Sequence, residues 1–232
     1  MKFTVAIPNY NDAEFLGSCI DSILTQNYED YEIWIYDNLS TDNSVEVAKE
    51  QLKKDNRIRL VCADQHHYNA CYGLNVLLKE HATGEIALWL CADDKLKPGY
   101  FTTLEPYFHD PKVGAVRIGI TCFREEEPRR VMDWWPQPFD DLKDIMGGNK
   151  LYPSSPFRMD TFSQLGGFDD SDINVLWDWE FWIRLTFSGY RIDTCKRTLI
   201  VRKIHANSAA KHYKDGELYL SNKYQLWQLK VE

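Results

Sequence analysis

The stretch Ile86-Ala-Leu-Trp-Leu-Cys-Ala-Asp-Asp-Lys-Leu-Lys-Pro98 decides the fold. From Ile86 to Cys91 it carries no polar side chain on either face. A strand with one face in water alternates polar and apolar positions, whereas one covered on both faces, as in a parallel sheet, does not. The run then breaks onto two adjacent carboxylates, Asp93 and Asp94, and Pro98 permits a helix to begin. Open α/β sheets bind ligands beyond the carboxyl ends of their strands. Two local readings stay open: a hard divalent cation held by carboxylate and phosphate oxygens, or acids that cap the next helix, a position Asp favours.

Outward from this strand the chain repeats one rhythm. Phe3-Thr-Val-Ala-Ile-Pro8 reads as a strand, followed by a polar loop and an amphipathic helix over about 13–25 carrying Phe15, Leu16, Cys19, Ile20, Ile23 and Leu24. Tyr31-Glu-Ile-Trp-Ile-Tyr36 is a second strand, ending on Asp37-Asn38, and Ser40-Thr-Asp42 caps a helix bearing Val45, Val47, Ala48 and Leu52. Arg57-Ile-Arg-Leu-Val-Cys62 is a third, before a helix over about 68–81 that Gly84 would close as its C′ residue. A helix over about 98–108 follows the opening strand. Alternation of this kind predicts right-handed crossovers and a parallel sheet covered on both faces.

Val113 to Cys122 reads as another strand, and there the rhythm stops. Residues 123–152 hold a charge run, the pair Trp134-Trp135 and, after it, Pro136 and Pro138, a long, partly irregular excursion of the sort that is usually functional or disordered. Helical pattern returns over 158–165, breaks at Gly166-Gly-Phe-Asp169, and resumes in an aromatic helix over about 175–188. Residues 190–205 read as one or two strands and 211–232 as a polar tail. The expectation is a single domain over 1–232, with a regular half to about 110, a second half over about 111–208, then the tail.

Composition narrows the function. A chain of 232 residues that is 44% hydrophobic can bury a substantial core. Its formal charge of −8 argues against nucleic acid as the main partner. The six cysteines show neither CxxC spacing nor a nearby histidine pattern, so they read as thiols in a reducing, cytoplasmic compartment. No GxGxxG follows the first strand, and no apolar run reaches the roughly 20 residues of a membrane span. Membrane contact would be peripheral at most, at an inner membrane face.

Asp178 lies inside Trp177-Asp-Trp-Glu-Phe-Trp182 at a helix start. Aromatic surroundings would raise its pKa by desolvation, which suits a general base. Asp178 and Glu180 are equally well read as first-turn acids placed against the helix dipole.

Together these pieces resemble family 2 glycosyltransferases. Val5-Ala-Ile-Pro-Asn-Tyr-Asn11, Ile20-Asp-Ser-Ile-Leu-Thr-Gln26 and Ile35-Tyr-Asp-Asn-Leu-Ser-Thr-Asp42 look like the family's opening. Asn75, Ala82-Thr-Gly-Glu85, the Asp93-Asp94 turn, Gly166-Gly-Phe-Asp169, the block from Asp178 to Leu185 and Arg202-Lys-Ile-His205 continue it in order. The resemblance covers about residues 3–208. It implies the GT-A fold, an α/β, Rossmann-like, mostly parallel sheet with helices on both faces and a smaller mixed acceptor-side region.

The resemblance also assigns roles. Pro8 and Tyr10 would line the base pocket, Asp37 would hydrogen-bond base or ribose, and Asn38 stands where many relatives have a second Asp. Asn75 and Asp93 belong to the same nucleotide-binding set. Asp93 matches the last acid of the metal-binding DXD motif and Asp94 the acid after it, while Cys91 replaces the first, which leaves one carboxylate fewer for Mg²⁺ or Mn²⁺. His205 matches a histidine that could reach the diphosphate or the metal. Asp178 matches the general base of the "ED" motif, whose preceding acid is Trp177 here. Asp94, Gly167, Phe168, Trp177 and Glu180 would meet the sugar or the acceptor.

The implied partners are a UDP-, GDP- or dTDP-linked sugar donor and a carbohydrate or lipid-linked acceptor, with a homodimer compatible. Two rivals remain. A pyrophosphorylase would need a Gly-rich, basic loop, and Pro8-Asn-Tyr-Asn-Asp12 has neither Gly nor Lys. A degenerate domain that only binds carbohydrate or a partner protein is suggested by Cys91 and Trp177 standing where acids are usual.

Overall fold

A computed structural model describes residues 1–124, 130–135, 145, 148–171 and 176–204. The first strands are β1 (Phe3–Asn9), β2 (Tyr31–Asp37), β3 (Ile58–Cys62) and β4 (Ile86–Trp89), in spatial order β3-β2-β1-β4 and all parallel. The helices between them are α1 (Ala13–Leu24), α2 (Ser44–Lys54) and α3 (Ala70–Val76), the last running on into a wider π turn at Leu77–His81. The sheet continues through β8 (Phe157–Arg158), β6 (Val113–Arg124), β9 (Arg191–Ile204) and β5 (Asp94–Leu96), with β7 (Arg130–Trp134) pairing antiparallel to β6. In this second half only β6 and β9 run parallel. The sheet is therefore parallel where sequence rhythm is regular and mixed where it breaks.

The central strands are covered on both sides, as the unbroken apolar runs require. Alternate residues of β1 and β4 enter different clusters. Val5, Ile7, Ile86 and Leu88 join one core with α1 residues Leu16 and Ile20. Ala6, Ala87 and Trp89 join the other, with Leu74, Phe157, Phe168, Phe181 and Trp182. Trp89 is the hub of that aromatic layer, stacked on Trp182 at 5.6 Å and tilted against Trp177 at 5.0 Å.

Several boundaries differ from expectation. Asp93 and Asp94 do not cap a helix: the chain turns, the Asp94 N–H donates to the Cys91 carbonyl, and Asp94 enters β5, paired with β9. The next helix, α4 (Tyr100–Leu104), starts two residues beyond Pro98, after Gly99 at φ +80°, and tightens into a 3₁₀ turn at Glu105–His109. Part of the irregular excursion is ladder, since β7 lies along β6. Trp135, just past β7, is exposed. The expected one or two strands over 190–205 are one long strand, β9, whose register slips against β6. The tail over 211–232 and His205 lie outside the described residues.

Gly84 is not a helix C′ residue. Its N–H donates to Thr4 Oγ1 at 3.1 Å, and a Cβ there would sit 2.7 Å from the Thr4 backbone nitrogen. Thr83 beside it clamps Glu32. The carboxylate of Glu32 accepts from the Thr83 N–H (2.6 Å), the Thr83 hydroxyl (2.9 Å), Thr4 Oγ1 (2.7 Å) and Lys2 Nζ (2.9 Å). The Ala82-Thr-Gly-Glu85 stretch thus ties the entry of β4 to β1 and β2.

Two further helices among the described residues are α5 (Met159–Gln164) and α6 (Trp177–Phe187). Between them Gly166 and Gly167 adopt φ +80° and +85°, a left-handed turn that glycine enters without strain. One cation locks this turn to α6. Arg184 grips the fully buried Glu180 with Nε and Nη2 at 2.7–2.9 Å, while Nη1 and Nη2 reach the carbonyls of Leu165 (2.6 Å) and Gly167 (2.8 Å). From the other side Asn75 donates to the Phe168 carbonyl and accepts from the Phe168 N–H, both at 2.9 Å.

Two predictions follow from these clamps. Burial alone would raise the Glu32 pKa, but the hydrogen bonds from Thr83, Thr4 and Lys2 outweigh it and hold it at about 2. The folded value lies below the unfolded one, so this stabilisation is present above about pH 4.3 and fades as pH falls towards 2. In urea titrations Glu32→Gln should flatten the loss of stability across that window; an unchanged slope would show that the clamp adds nothing. Arg184→Met strands a buried carboxylate and should cost about 3–5 kcal/mol. A loss below about 1 kcal/mol in the same assay would contradict that reading.

Candidate active site

The carboxyl ends of β1, β2 and β4 open into a cleft of about 790 Å³. The second half of the chain contributes its far wall. Sequence reasoning nominated residues far apart in the chain, and the cleft collects Pro8, Tyr10, Asn38, Asp93, Asp94 and Asp178.

At one end lie the aromatic groups. Tyr10 is 45% exposed, its ring edge-on to His66 at 4.7 Å. Asn38 builds the loop beneath them: its Nδ2 donates to the His67 carbonyl at 2.7 Å and its Oδ1 accepts the His67 N–H at 2.9 Å. His67 in turn stacks on Tyr72 at 3.5 Å. These two hydrogen bonds to the backbone fix the Asn38 side chain in the pocket lining. Gly73 gives the cleft its depth, because a side chain there would overlap the ring of Tyr36.

In the middle lie the acids after β4. One donor atom each from Cys91, Asp93 and Asp94 fall within 4.8 Å of one another. Asp94 is buried, and its Oδ2 accepts the Tyr152 hydroxyl at 2.5 Å. Burial and the neighbouring charge of Asp93 push Asp94 up to about 7, against the opposing pull of Tyr152, Arg202 and the Lys203 backbone. Burial and the same two aspartates push the Cys91 thiol well up, so it is protonated. Two crowded carboxylates, one of them raised by repulsion and desolvation, form a donor set that fits a hard divalent cation. Arg202, across the ladder from Asp94, brings positive charge to the same wall, its guanidinium 6.0 Å from the centre of the Tyr152 ring.

At the other end Asp178 sits in the first turn of α6. The helix dipole there favours its charged form. Desolvation outweighs it together with the hydrogen bonds from the Trp179 N–H and Asn149, and the pKa is raised. Asn149 Nδ2 donates to Asp178 Oδ2 at 2.8 Å.

Other nominated residues are placed elsewhere, for physical reasons. Asp37 is buried and does not line the cleft; its carboxylate accepts from Asn9 Nδ2 (2.8 Å) and the Ser40 N–H (2.9 Å), closing the turn after β2. Asn75, Gly167 and Phe168 form the clamp of the two-glycine turn, and Glu180 is the partner of Arg184, so none of the four faces the cleft. Trp177 packs against Trp89 and Phe168 at 5.0 and 4.9 Å and is likewise absent from the lining. Sequence reasoning missed His66, Asn149, Tyr152 and Arg202 as lining groups.

The chain matches the family model "Glycosyl transferase family 2" over residues 4–165. It is 26% identical over 252 residues to an uncharacterized glycosyltransferase of Escherichia coli K12, YibD, covering 99% of this chain and 69% of that protein. It is 31% identical over 126 residues to the GalNAc(5)-diNAcBac-PP-undecaprenol beta-1,3-glucosyltransferase of Campylobacter jejuni, covering 54% of this chain and 40% of that one. Among solved structures, S. aureus TarS 1-349 in complex with UDP-GlcNAc superposes with a TM-score of 0.74 at 18% identity, covering 88% of this chain and 59% of that one. The mannosyltransferase PcManGT of Pyrobaculum calidifontis, in complex with GDP-Man and Mn²⁺, gives 0.68 at 22% identity, covering 89% and 58%. The structural matches establish the GT-A fold; the chain spans about three fifths of each solved relative. The family model takes in most of the chain, including the strand that ends at the acid cluster: this protein belongs to glycosyl transferase family 2.

Proposed function

We propose that this protein is an inverting glycosyltransferase that moves a sugar from a nucleotide-diphosphate donor to a hydroxyl of a carbohydrate or lipid-linked acceptor. One observation carries the reading: the acid cluster after β4 and the raised carboxyl of Asp178 line the same cleft, with an aromatic end that suits a nucleotide base. TarS with UDP-GlcNAc and PcManGT with GDP-Man and Mn²⁺ support a nucleotide-sugar donor on this fold. The Campylobacter relative's name supports a lipid-linked acceptor.

In this reading the base stacks at Tyr10 and Pro8, over the floor that Asn38 and His67 build. Asp93 and Asp94, with Cys91 alongside, would hold Mg²⁺ or Mn²⁺, which supplies positive charge against the diphosphate of the leaving nucleotide. Arg202 adds protein charge on that wall. Asp178 accepts the proton of the acceptor hydroxyl as its oxygen attacks the anomeric carbon opposite the departing phosphate. A single displacement inverts the centre and needs no covalent enzyme intermediate. Burial of Asp178 strengthens its basicity, and the cleft wall formed by Leu151 and Tyr152 keeps the site from being open water. Among the described residues no helix is long and apolar enough to cross a membrane, so a lipid-linked acceptor would be met at a membrane surface.

Two substitutions separate binding from chemistry. Asp178→Asn should leave donor affinity near wild type and lower turnover by about 10²–10⁴-fold, the range for general-base loss. Asp93→Ala should weaken Mn²⁺-dependent donor binding, read by calorimetry, by at least about tenfold. Wild-type turnover in Asp178→Asn would remove the base assignment. A panel of nucleotide sugars screened by thermal unfolding should show one or a few donors raising Tm in the presence of Mn²⁺. If none does so, the chain is a binding module for something else.

A further inference from the structure

The residues that carry this inference lie in a segment without regular structure, and its polar side chains reach two different catalytic candidates. Asn149 donates to Asp178, and three residues on, the Tyr152 hydroxyl donates to Asp94. The segment is itself anchored: Leu151 and Tyr152 are buried, and the Ser154 carbonyl accepts the Tyr100 hydroxyl at 2.7 Å.

The orientation of the Asn149 amide is fixed by a second contact. Its Oδ1 accepts the Leu151 backbone N–H at 3.2 Å, which turns Nδ2 towards Asp178 Oδ2. A donor aimed this way holds the carboxylate by Oδ2 and resists rotation of the carboxyl group. Among the described residues no charged side chain is hydrogen-bonded to Asp178. On its own helix Glu180 is taken by Arg184, on the segment the nearest charge is Lys150, and across the cleft stand Asp93, Asp94 and Arg202.

We propose that Asn149 is a positioning residue for the transfer reaction, holding the Asp178 carboxylate in the orientation and ionisation state in which it accepts the hydroxyl proton. This rests on the assignment of Asp178 as base. Asn149 touches neither substrate nor metal in this scheme; it acts through Asp178.

The hydrogen bond favours the charged form of Asp178. Its loss therefore makes Asp178 harder to ionise, and the acid limb of the kcat–pH profile should move up. For Asn149→Ala we expect a shift of about one unit, as a lost hydrogen bond to a charged group is worth about that much. Turnover should fall about tenfold on the acid limb and recover on the alkaline plateau to within about threefold of wild type, with donor KM little changed. Asn149→Asp keeps an acceptor for the Leu151 N–H, so the segment stays anchored, but sets a second carboxylate against Asp178. Its limb should move further up than that of Asn149→Ala.

Equal loss of turnover at every pH in both variants, with the limb unmoved, would assign Asn149 a structural role and overturn the proposal. Wild-type profiles in both would do the same. The parent assignment fails separately, if Asp178→Asn turns over normally; inactive Asp178→Asn with unmoved Asn149 variants leaves the base in place and removes only Asn149.

Discussion

One guanidinium holds the second half of the molecule together. Arg184 neutralises the fully buried Glu180 and at the same time takes the carbonyls of Leu165 and Gly167, so α6 and the two-glycine turn become one unit. Asn75, from α3 in the parallel half, grips the same turn from its other side. A lone carboxylate buried this deeply would be strongly unfavourable; paired and bidentate, it becomes a rigid joint. The position of Asp178 depends on that joint, since it lies in the first turn of the helix whose next turns Arg184 locks. Residues that look like substrate contacts in the sequence thus serve the site from behind.

The aromatic layer under α6 adds stiffness of another kind. Trp89, at the end of β4, stacks on Trp182 and meets Trp177 and Phe168, so the strand that delivers Asp93 is packed directly against the helix that delivers Asp178. Close-packed rings resist sliding, because each small displacement forfeits many dispersion contacts. The two acids are held by elements that cannot shift independently. A transfer reaction needs this, since the attacking oxygen and the leaving phosphate lie on opposite sides of one carbon.

Much of this was legible in the chain. The unbroken apolar run at Ile86–Cys91 signalled a strand buried on both faces, and alternate residues of β4, as of β1, do enter separate cores. The ordered motifs pointed to Tyr10, Asn38, Asp93 and Asp178, which share the cleft. What failed to show was long-range. Asp94 was read as a candidate cap because nothing local marks Ile200–Arg202 as its strand partner. Asn149 and Tyr152 sit in a stretch with no hydrophobic period, so no pattern singles them out. Asp37 is a strand-end acid whose local partners, the Ser40 N–H and Asn9, no sequence pattern marks. For Glu180 a signal was present: an arginine four residues on is the spacing of an intrahelical pair.

The central claim is that one donor molecule spans the cleft from Tyr10 past Asp93 to Asp178. A crystal structure of the protein with Mn²⁺ and a nucleotide sugar that raises its Tm tests this most directly. The account predicts the base at Tyr10, metal and diphosphate against Asp93, and the sugar's anomeric carbon turned towards the Asp178 carboxylate. A nucleotide seated elsewhere, or a sugar whose anomeric carbon faces away from Asp178, would contradict it.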